Sequence, residues 1–136
     1  MLFRSRIVPY RTSGGMLKPL MDVALVGPNG KQLPKLRALV DSGCDFSTFP
    51  SALARPLGID TAADCFAMEI HTASGLDRSQ VCYPHGIHGL IFGQKLALSA
   101  NFHPMLPIAL LGREDFMAHF RVTFDERRKL FILEAH

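Results

Sequence analysis

The sequence predicts an all-β fold, because apolar residues recur at every second position in short segments, turn residues separate these segments, and helical periodicity is rare. The segment from Met21 to Leu25 alternates large apolar side chains with smaller or polar ones, as in a half-buried strand. Pro28-Asn29-Gly30 follows as a turn signal. Many short strands with frequent turns indicate a barrel or a sandwich.

The remaining elements follow in chain order. Residues 1–18 are predicted to be an irregular arm, with Pro9 and Gly14-Gly15 as breakers, and residues 19–136 to be a single domain. One helical turn is predicted near Ser51 to Arg55, where Pro56 ends it. The predicted strands after the first are Leu36 to Val40, Ala67 to Thr72, Ile87 to Phe92 and Leu96 to Leu98.

The last residues predict a short helix followed by a β-hairpin. Glu114 to His119 carries acidic residues in its first turn, which suit the positive end of a helix. The segment Phe120 to Phe124 then alternates apolar and polar residues, Asp125 to Arg128 forms a turn, and Leu130 to Leu133 returns as the second strand.

Composition limits the class of protein. The chain has 136 residues, 48% of them hydrophobic and 20% charged, which allows one packed domain. It has no apolar run near the roughly 20 residues that cross a bilayer and no signal-peptide core, so we expect a cytoplasmic protein without membrane contact. Three cysteines without paired spacing predict reduced thiols. The net charge of +3 is interpreted as solvated turns and tails in preference to a nucleic-acid patch.

The run Asp41-Ser42-Gly43 is the main candidate for chemistry. The apolar strand Ala38-Leu39-Val40 precedes it and would hold the carboxylate at the edge of the core. Gly43 permits a tight turn, and Ser42 can brace the loop through backbone hydrogen bonds. Asp-Ser-Gly alone is also an ordinary turn sequence. A second apolar segment, Ile108 to Arg113, adds weight to the catalytic interpretation.

Two motifs together resemble the retropepsin-like aspartic proteases over about residues 20 to 133. Ala38 to Asp45, followed by Ser47 to Pro50, is similar to the active-site segment of that family, and Leu110 to Arg113, followed by Asp115-Phe116, is similar to its C-terminal core motif. Cys44 departs from the Ala that many members have. The resemblance implies an acid-protease barrel with one short C-terminal helix, structural support from Leu111, Gly112 and Arg113, and catalysis by Asp41, Ser42 and Gly43.

The chemistry of such a protease needs two carboxylates that share one proton. The chain has no second Asp-Ser/Thr-Gly, and the nearest run, Asp60-Thr61-Ala62, lacks the glycine. The second carboxylate is therefore predicted to be Asp41 of another copy, across the two-fold axis of a homodimer.

The resemblance also implies a flap and an ion pair. The flap is assigned to His71 to Leu76, with Ser74-Gly75 at its tip, and the ion pair to Asp45 and Arg113; the alternatives are an ordinary surface hairpin and two separate charges. Residues expected to contact a peptide substrate are Cys44, Asp45, Thr72, Ala73, Ser74, Gly75 and Leu76.

Other candidates are weaker. Cys82, His85 and His88 lack the four convergent ligands of a structural zinc site, so no metal or cofactor is expected. Cys44 is not expected to be a nucleophile, since Asp41 and Asp45 would raise its pKa. The predicted function is an aspartic endopeptidase acting on peptides or proteins. The alternatives are a catalytically inactive dimerisation or peptide-binding module and, third, nucleic-acid binding through the basic arm.

Overall fold

The computed structural model describes residues 4–72, 75–81 and 86–136. Within these ranges the chain is nearly all β, with two single-turn 3-10 helices at Ser51–Leu53 and Met117–His119. The strands are β1 (Ser5–Pro9), β2 (Arg11–Ser13), β3 (Met16–Lys18), β4 (Leu20–Val26), β5 (Leu36–Val40), β6 (Thr48–Pro50), β7 (Phe66–Thr72), β8 (Gly75–Val81), β9 (Ile87–Ile91), β10 (Gln94–Leu98), β11 (Asn101–His103), β12 (Ala109–Leu111), β13 (Phe120–Asp125) and β14 (Leu130–Ala135).

Strands β4 to β12 form one nine-stranded sheet, which curls into a half-barrel. Their order across the sheet is β10-β9-β4-β5-β12-β6-β11-β8-β7. Most neighbours are antiparallel, but β12 runs parallel to β5, and β11 runs parallel to β6. These two parallel pairs bring the C-terminal part of the sheet beside the segment around Asp41. The prediction of an all-β fold is confirmed.

The apolar core lies on one face of the strands, as the alternation in sequence predicts. In β9, Ile87 and Ile91 are fully buried while the residues between them alternate in exposure. In β4, Val23 and Leu25 are fully buried. Burying one such side chain contributes about 1.5–3 kcal/mol. The largest of the other fully buried side chains are Phe49, Phe102, Phe116 and Phe131.

The N-terminal segment is more regular than the sequence predicts. β1 pairs with β14, which pairs with β13, while β2 and β3 form a separate hairpin. The prediction of an irregular arm over residues 1–18 is therefore wrong for residues 5–18, because β14 supplies partners that sequence patterns did not identify. Tyr10 connects this segment to the turn between β13 and β14, because its hydroxyl donates a hydrogen bond to Glu126 over 2.8 Å. The boundary between residues 18 and 19 stays a prediction.

Two turn regions differ from the sequence-based expectations. The β9–β10 hairpin turns at Phe92 and Gly93, both at positive φ, which is typical of a two-residue type I′ connection. Only the last three residues of the predicted helix Glu114 to His119 are helical, as a 3-10 turn. The N–H of Met117 donates to the carbonyl of Gly112, five residues earlier, so the chain turns there without completing an α-helix.

Cys65 is disulfide-bonded, whereas Cys44 is a free thiol. The expectation of three reduced thiols is wrong for Cys65, because spacing along the sequence does not show which cysteines the fold brings together. The cysteine-based argument for a reducing compartment no longer holds, and the cytoplasmic location stays a prediction. In the described ranges, no helix has the length and apolar character that a membrane crossing requires.

Candidate active site

The carboxylate of Asp41 lies at the point where β5 leaves the sheet. β5 pairs with β12 in parallel register, with Val40 opposite Leu111. The N–H of Asp41 extends this ladder by donating to the carbonyl of Leu111 over 3.0 Å. Val40 and Leu111 are both buried, so the backbone that carries Asp41 is anchored in the core. Asp41 itself is half-buried.

The loop after Asp41 turns back on the carboxylate. The N–H of Gly43 donates to Oδ1 of Asp41 over 2.9 Å, and the N–H of Cys44 donates to the Asp41 carbonyl over 3.1 Å. A Cβ at Gly43 would lie 3.2 Å from Oδ1 of Asp41, a contact tighter than most. In the described part of the chain Oδ2 of Asp41 accepts no hydrogen bond. One oxygen is thus fixed, and the other is available to a ligand.

The segment after β12 is hydrogen-bonded to the loop that follows Asp41. Arg113 and Glu114 donate their N–H groups to the carbonyls of Cys44 and Asp45, over 2.9 and 2.8 Å. Gly112 packs directly on the backbone of Phe46, so that a Cβ there would lie 2.5 Å from the Phe46 carbonyl carbon. A glycine is therefore required at this crossing. The structure brings together the two sequence segments in which the sequence analysis placed the site.

Asp45 and Arg113 form the predicted ion pair. Both side chains are more than half exposed, so solvent screens the attraction and it contributes little to stability. The hydrogen bond from Arg113 to Asp45 raises the pKa of the guanidinium further above its ordinary value. The pair fixes the orientation of two side chains beside the Asp41 loop.

Asp115 is a structural residue that the sequence analysis did not identify as such. Its carboxylate accepts hydrogen bonds from the N–H and the hydroxyl of Ser47, at 3.0 and 2.9 Å, and from the N–H of Ser99 at 2.8 Å. The Ser47 hydroxyl in turn accepts the N–H of Gly112 over 3.1 Å. Ser47 and Asp115 both lie in the motifs that resemble the family, but no local pattern predicts their hydrogen bond, because they are 68 residues apart.

Cys44 lies beside the carboxylate as a half-buried free thiol. Its Sγ contacts the carbonyl of Phe46 at 2.8 Å and lies 3.9 Å from the Thr48 hydroxyl. Burial raises the pKa of the Cys44 thiol most strongly, the hydrogen bond with Thr48 lowers it in part, and the charge of Asp41 raises it again. The predicted direction of the shift is correct, but burial is its main cause. A raised pKa disfavours the nucleophilic thiolate.

The hairpin assigned as a flap extends from the edge of the large sheet. β7 and β8 pair from Phe66–Val81 to Thr72–Gly75. β8 joins β11 only through Val81 and Gln80, so in the described part of the chain the outer end of the hairpin has no further strand beside it. Thr72 and Gly75 are the last residues placed there. Ala73 and Ser74 lie outside the described residues, and Leu76 lies on β8.

Among the residues that the structure describes, the other sequence candidates form no second site. Asp60 belongs to an ordinary turn, in which its Oδ1 accepts the N–H of Ala62 over 3.0 Å. Cys82 and His85 lie outside the described residues, and His88 lies on β9. Among the residues that the structure describes, no group of three or more His, Cys, Asp or Glu side chains is arranged to hold a metal ion.

The fold is similar to those of two solved proteases. A retropepsin-like aspartic protease from Rickettsia conorii has a TM-score of 0.68 and 19% sequence identity, over 96% of this chain and 90% of that one. EIAV protease, complexed with the inhibitor HBY-793, has a TM-score of 0.51 and 19% identity, over 76% of this chain and 89% of that one. The sequence matches no family model and no curated protein sequence. At this identity the likeness concerns the fold.

Proposed function

Because the chain has the fold of the retropepsin-like aspartic proteases, we propose that it is an aspartic endopeptidase with Asp41 as its catalytic carboxylate. The observation that carries this proposal is the carboxylate at the end of β5, with Oδ1 held by the N–H of Gly43 at 2.9 Å and Oδ2 available. A pure scaffold has no need of a carboxylate fixed in this way.

The proposed enzyme is a homodimer in which each copy contributes one Asp41. Two carboxylates that meet across a two-fold axis share a proton, because both cannot ionise easily at short distance. The ionised one accepts a proton from water as it attacks the scissile carbonyl, and the protonated one donates a hydrogen bond to the carbonyl oxygen. Gly43 permits the close approach of the two loops, and Ser42, which is exposed in the single chain, would brace them in the dimer.

The substrate is proposed to lie extended across the dimer, under the two β7–β8 hairpins. Cys44 and Asp45 would form the floor beside the scissile bond, while the hairpin residues 72–76 would cover it. Leu111, Gly112 and Arg113 would support the catalytic loop from below, through the contacts of the Gly112 and Arg113 backbone. No cofactor or metal has a role in this mechanism.

The substitution Asp41→Asn tests the mechanism, because the amide keeps the shape of the side chain but cannot act as a base. Cleavage of a diverse peptide library should fall by about 10²- to 10⁴-fold, the usual contribution of a positioned base. Asp60→Asn is the matched control, since Asp60 lies in a turn outside the site, and its Oδ1 contact can be kept by Asn. Equal turnover of the wild type and Asp41→Asn would refute the mechanism.

The alternative function is a catalytically inactive dimerisation or peptide-binding module on the same fold. Such a module would bind peptides in the extended groove, and Asp41→Asn would leave that binding unchanged. Absence of cleavage by the wild type across a pH series, together with peptide binding that survives in Asp41→Asn, would favour this alternative.

A further inference from the structure

A cavity of about 460 Å³ lies on the face of the large sheet that points away from the core. Its lining combines apolar residues with two cations. The residues that line it include Leu20, Leu39, Pro107 and Ile108, together with Lys18 and Arg37. A cavity of this size accommodates one amino-acid side chain with part of its backbone.

The cavity lies on the same side of β5 as the catalytic carboxylate. Arg37 and Leu39 occupy alternate positions of β5, while the intervening Ala38 and the following Val40 face the core and are buried. Asp41 is the next residue of this alternation after Arg37 and Leu39. Its hydrogen bond to Leu111 extends the β5–β12 ladder by one residue. Since residues two apart on a strand are about 7 Å apart on one face, the cavity begins about one residue spacing from the Asp41 position.

Neither cation of the cavity forms a salt bridge with a described residue, although the charges of Arg37 and Asp22 interact at longer range. Asp22 lies opposite Arg37 in the β4–β5 register, but its carboxylate is bound by Arg11 at 2.8 Å. The hydrogen bond from Arg11 lowers the pKa of Asp22 most strongly, and the charges of Arg11, Lys35 and Arg37 also lower it, so that one carboxylate is shared by several cations. Lys18 and Arg37 therefore leave an excess of positive charge in the lining of the cavity.

We infer that this cavity receives an acidic side chain of the substrate, next to the scissile bond. The inference rests on the proposed endopeptidase function and adds its substrate class: peptides with Glu or Asp near the cleaved bond. A glutamate would lay its methylene groups on the partly exposed Leu39 and Ile108 and direct its carboxylate to Lys18 and Arg37. A two-fold dimer has two copies of the cavity, so that an acidic residue is accepted on either side of the bond.

The test is to sequence the cleavage products of a diverse peptide library and then to measure matched peptides that carry Glu or Gln at the selected position. Partly exposed ion pairs contribute up to about 1 kcal/mol, so Glu should be preferred by about three- to five-fold at neutral pH. The preference should fade as the pH falls below about 4.3, where the glutamate becomes protonated. Lys18→Gln and Arg37→Gln should each reduce it.

Lys95→Gln is the matched control, because Lys95 is an exposed cation on β10, separated from β5 by β9 and β4. Cleavage without any preference for Glu would refute the inference, and so would a preference that is unchanged in both Lys18→Gln and Arg37→Gln. Neither result would contradict the proposed endopeptidase function.

A second arm separates failure of the inference from failure of the proposed function. If no Asp41-dependent cleavage occurs, the endopeptidase proposal fails, and the same fluorescently labelled Glu and Gln peptides are titrated against the protein by anisotropy. Tighter binding of the Glu peptide, lost in Arg37→Gln but kept in Lys95→Gln, would uphold the acidic-side-chain site without catalysis. Equal binding of both peptides would overturn it.

Discussion

Ser47 joins three backbone segments around the candidate site through one hydroxyl and its own N–H. The side chain is fully buried, donates to Asp115 and accepts the N–H of Gly112. The sequence predicts the parts played by Asp41 and Gly112, because each follows an apolar run that resembles a family motif. It does not predict the role of Asp115, because a hydrogen bond between residues far apart in sequence leaves no local pattern.

Replacing Ser47 with Ala should therefore both destabilise the fold and loosen the catalytic loop. The change leaves the N–H of Gly112 buried without its acceptor, which costs about 1–3 kcal/mol. The free energy of unfolding in urea and the rate of peptide cleavage are the two measurements. Ser5→Ala is the control, because Ser5 is exposed on β1. A Ser47→Ala protein as stable as wild type would show that the cluster does not support the loop.

At the scale of elements, the predictable parts of the chain are those with strong local alternation. β4, β5, β9 and the β13–β14 hairpin were identified because their apolar residues recur at every second position. Strands β1 to β3 are not predicted from the sequence, because they are short and largely exposed. Only their pairing with other strands shows that they are strands. The predicted C-terminal helix is reduced to the 3-10 turn Met117–His119 for a related reason: hydrogen bonds from Arg113 and Glu114 to the Asp41 loop hold the preceding residues in a turn.

The β7–β8 hairpin is the element that we expect to move during turnover. Replacing Gly75 with Val should slow turnover more than it lowers stability, because a β-branched residue restricts the end of the hairpin beside the substrate. Gly30→Val is the matched control: Gly30 has a φ of 79° in an exposed turn, so Val should lower stability there without changing the turnover of the folded protein. Normal kinetics in Gly75→Val would count against the flap assignment.

For the whole molecule, the central prediction is that assembly and activity respond to pH together. Under the proposed mechanism, activity needs one protonated and one ionised Asp41, so the rate should be bell-shaped, with its optimum below neutrality, and its two limbs belong to the pair. Raising the pH ionises both carboxylates, and their repulsion across the two-fold axis should weaken the dimer. Cleavage rate and dimer fraction by light scattering, measured on one pH series, test both expectations.

Asp41→Asn is the control for assembly, since the dimer fraction of this variant should lose that part of the pH dependence. Full activity of a strictly monomeric fraction would contradict the shared dyad. A rate that rises steadily to alkaline pH would instead indicate a thiol such as Cys44, whose raised pKa delays its ionisation.

The parallel pairing of β5 with β12 also determines when the site can form during folding. Ser47 and Asp115 are 68 residues apart, and the loop that connects them must be closed before their hydrogen bonds can form. Such long-range parallel contacts form slowly. On the ribosome, the Asp41 loop stays incomplete until Gly112 and Asp115 have been synthesised and released from the exit tunnel. Under the proposed function, the nascent chain is therefore inactive until the segment that holds Gly112 and Asp115 has emerged.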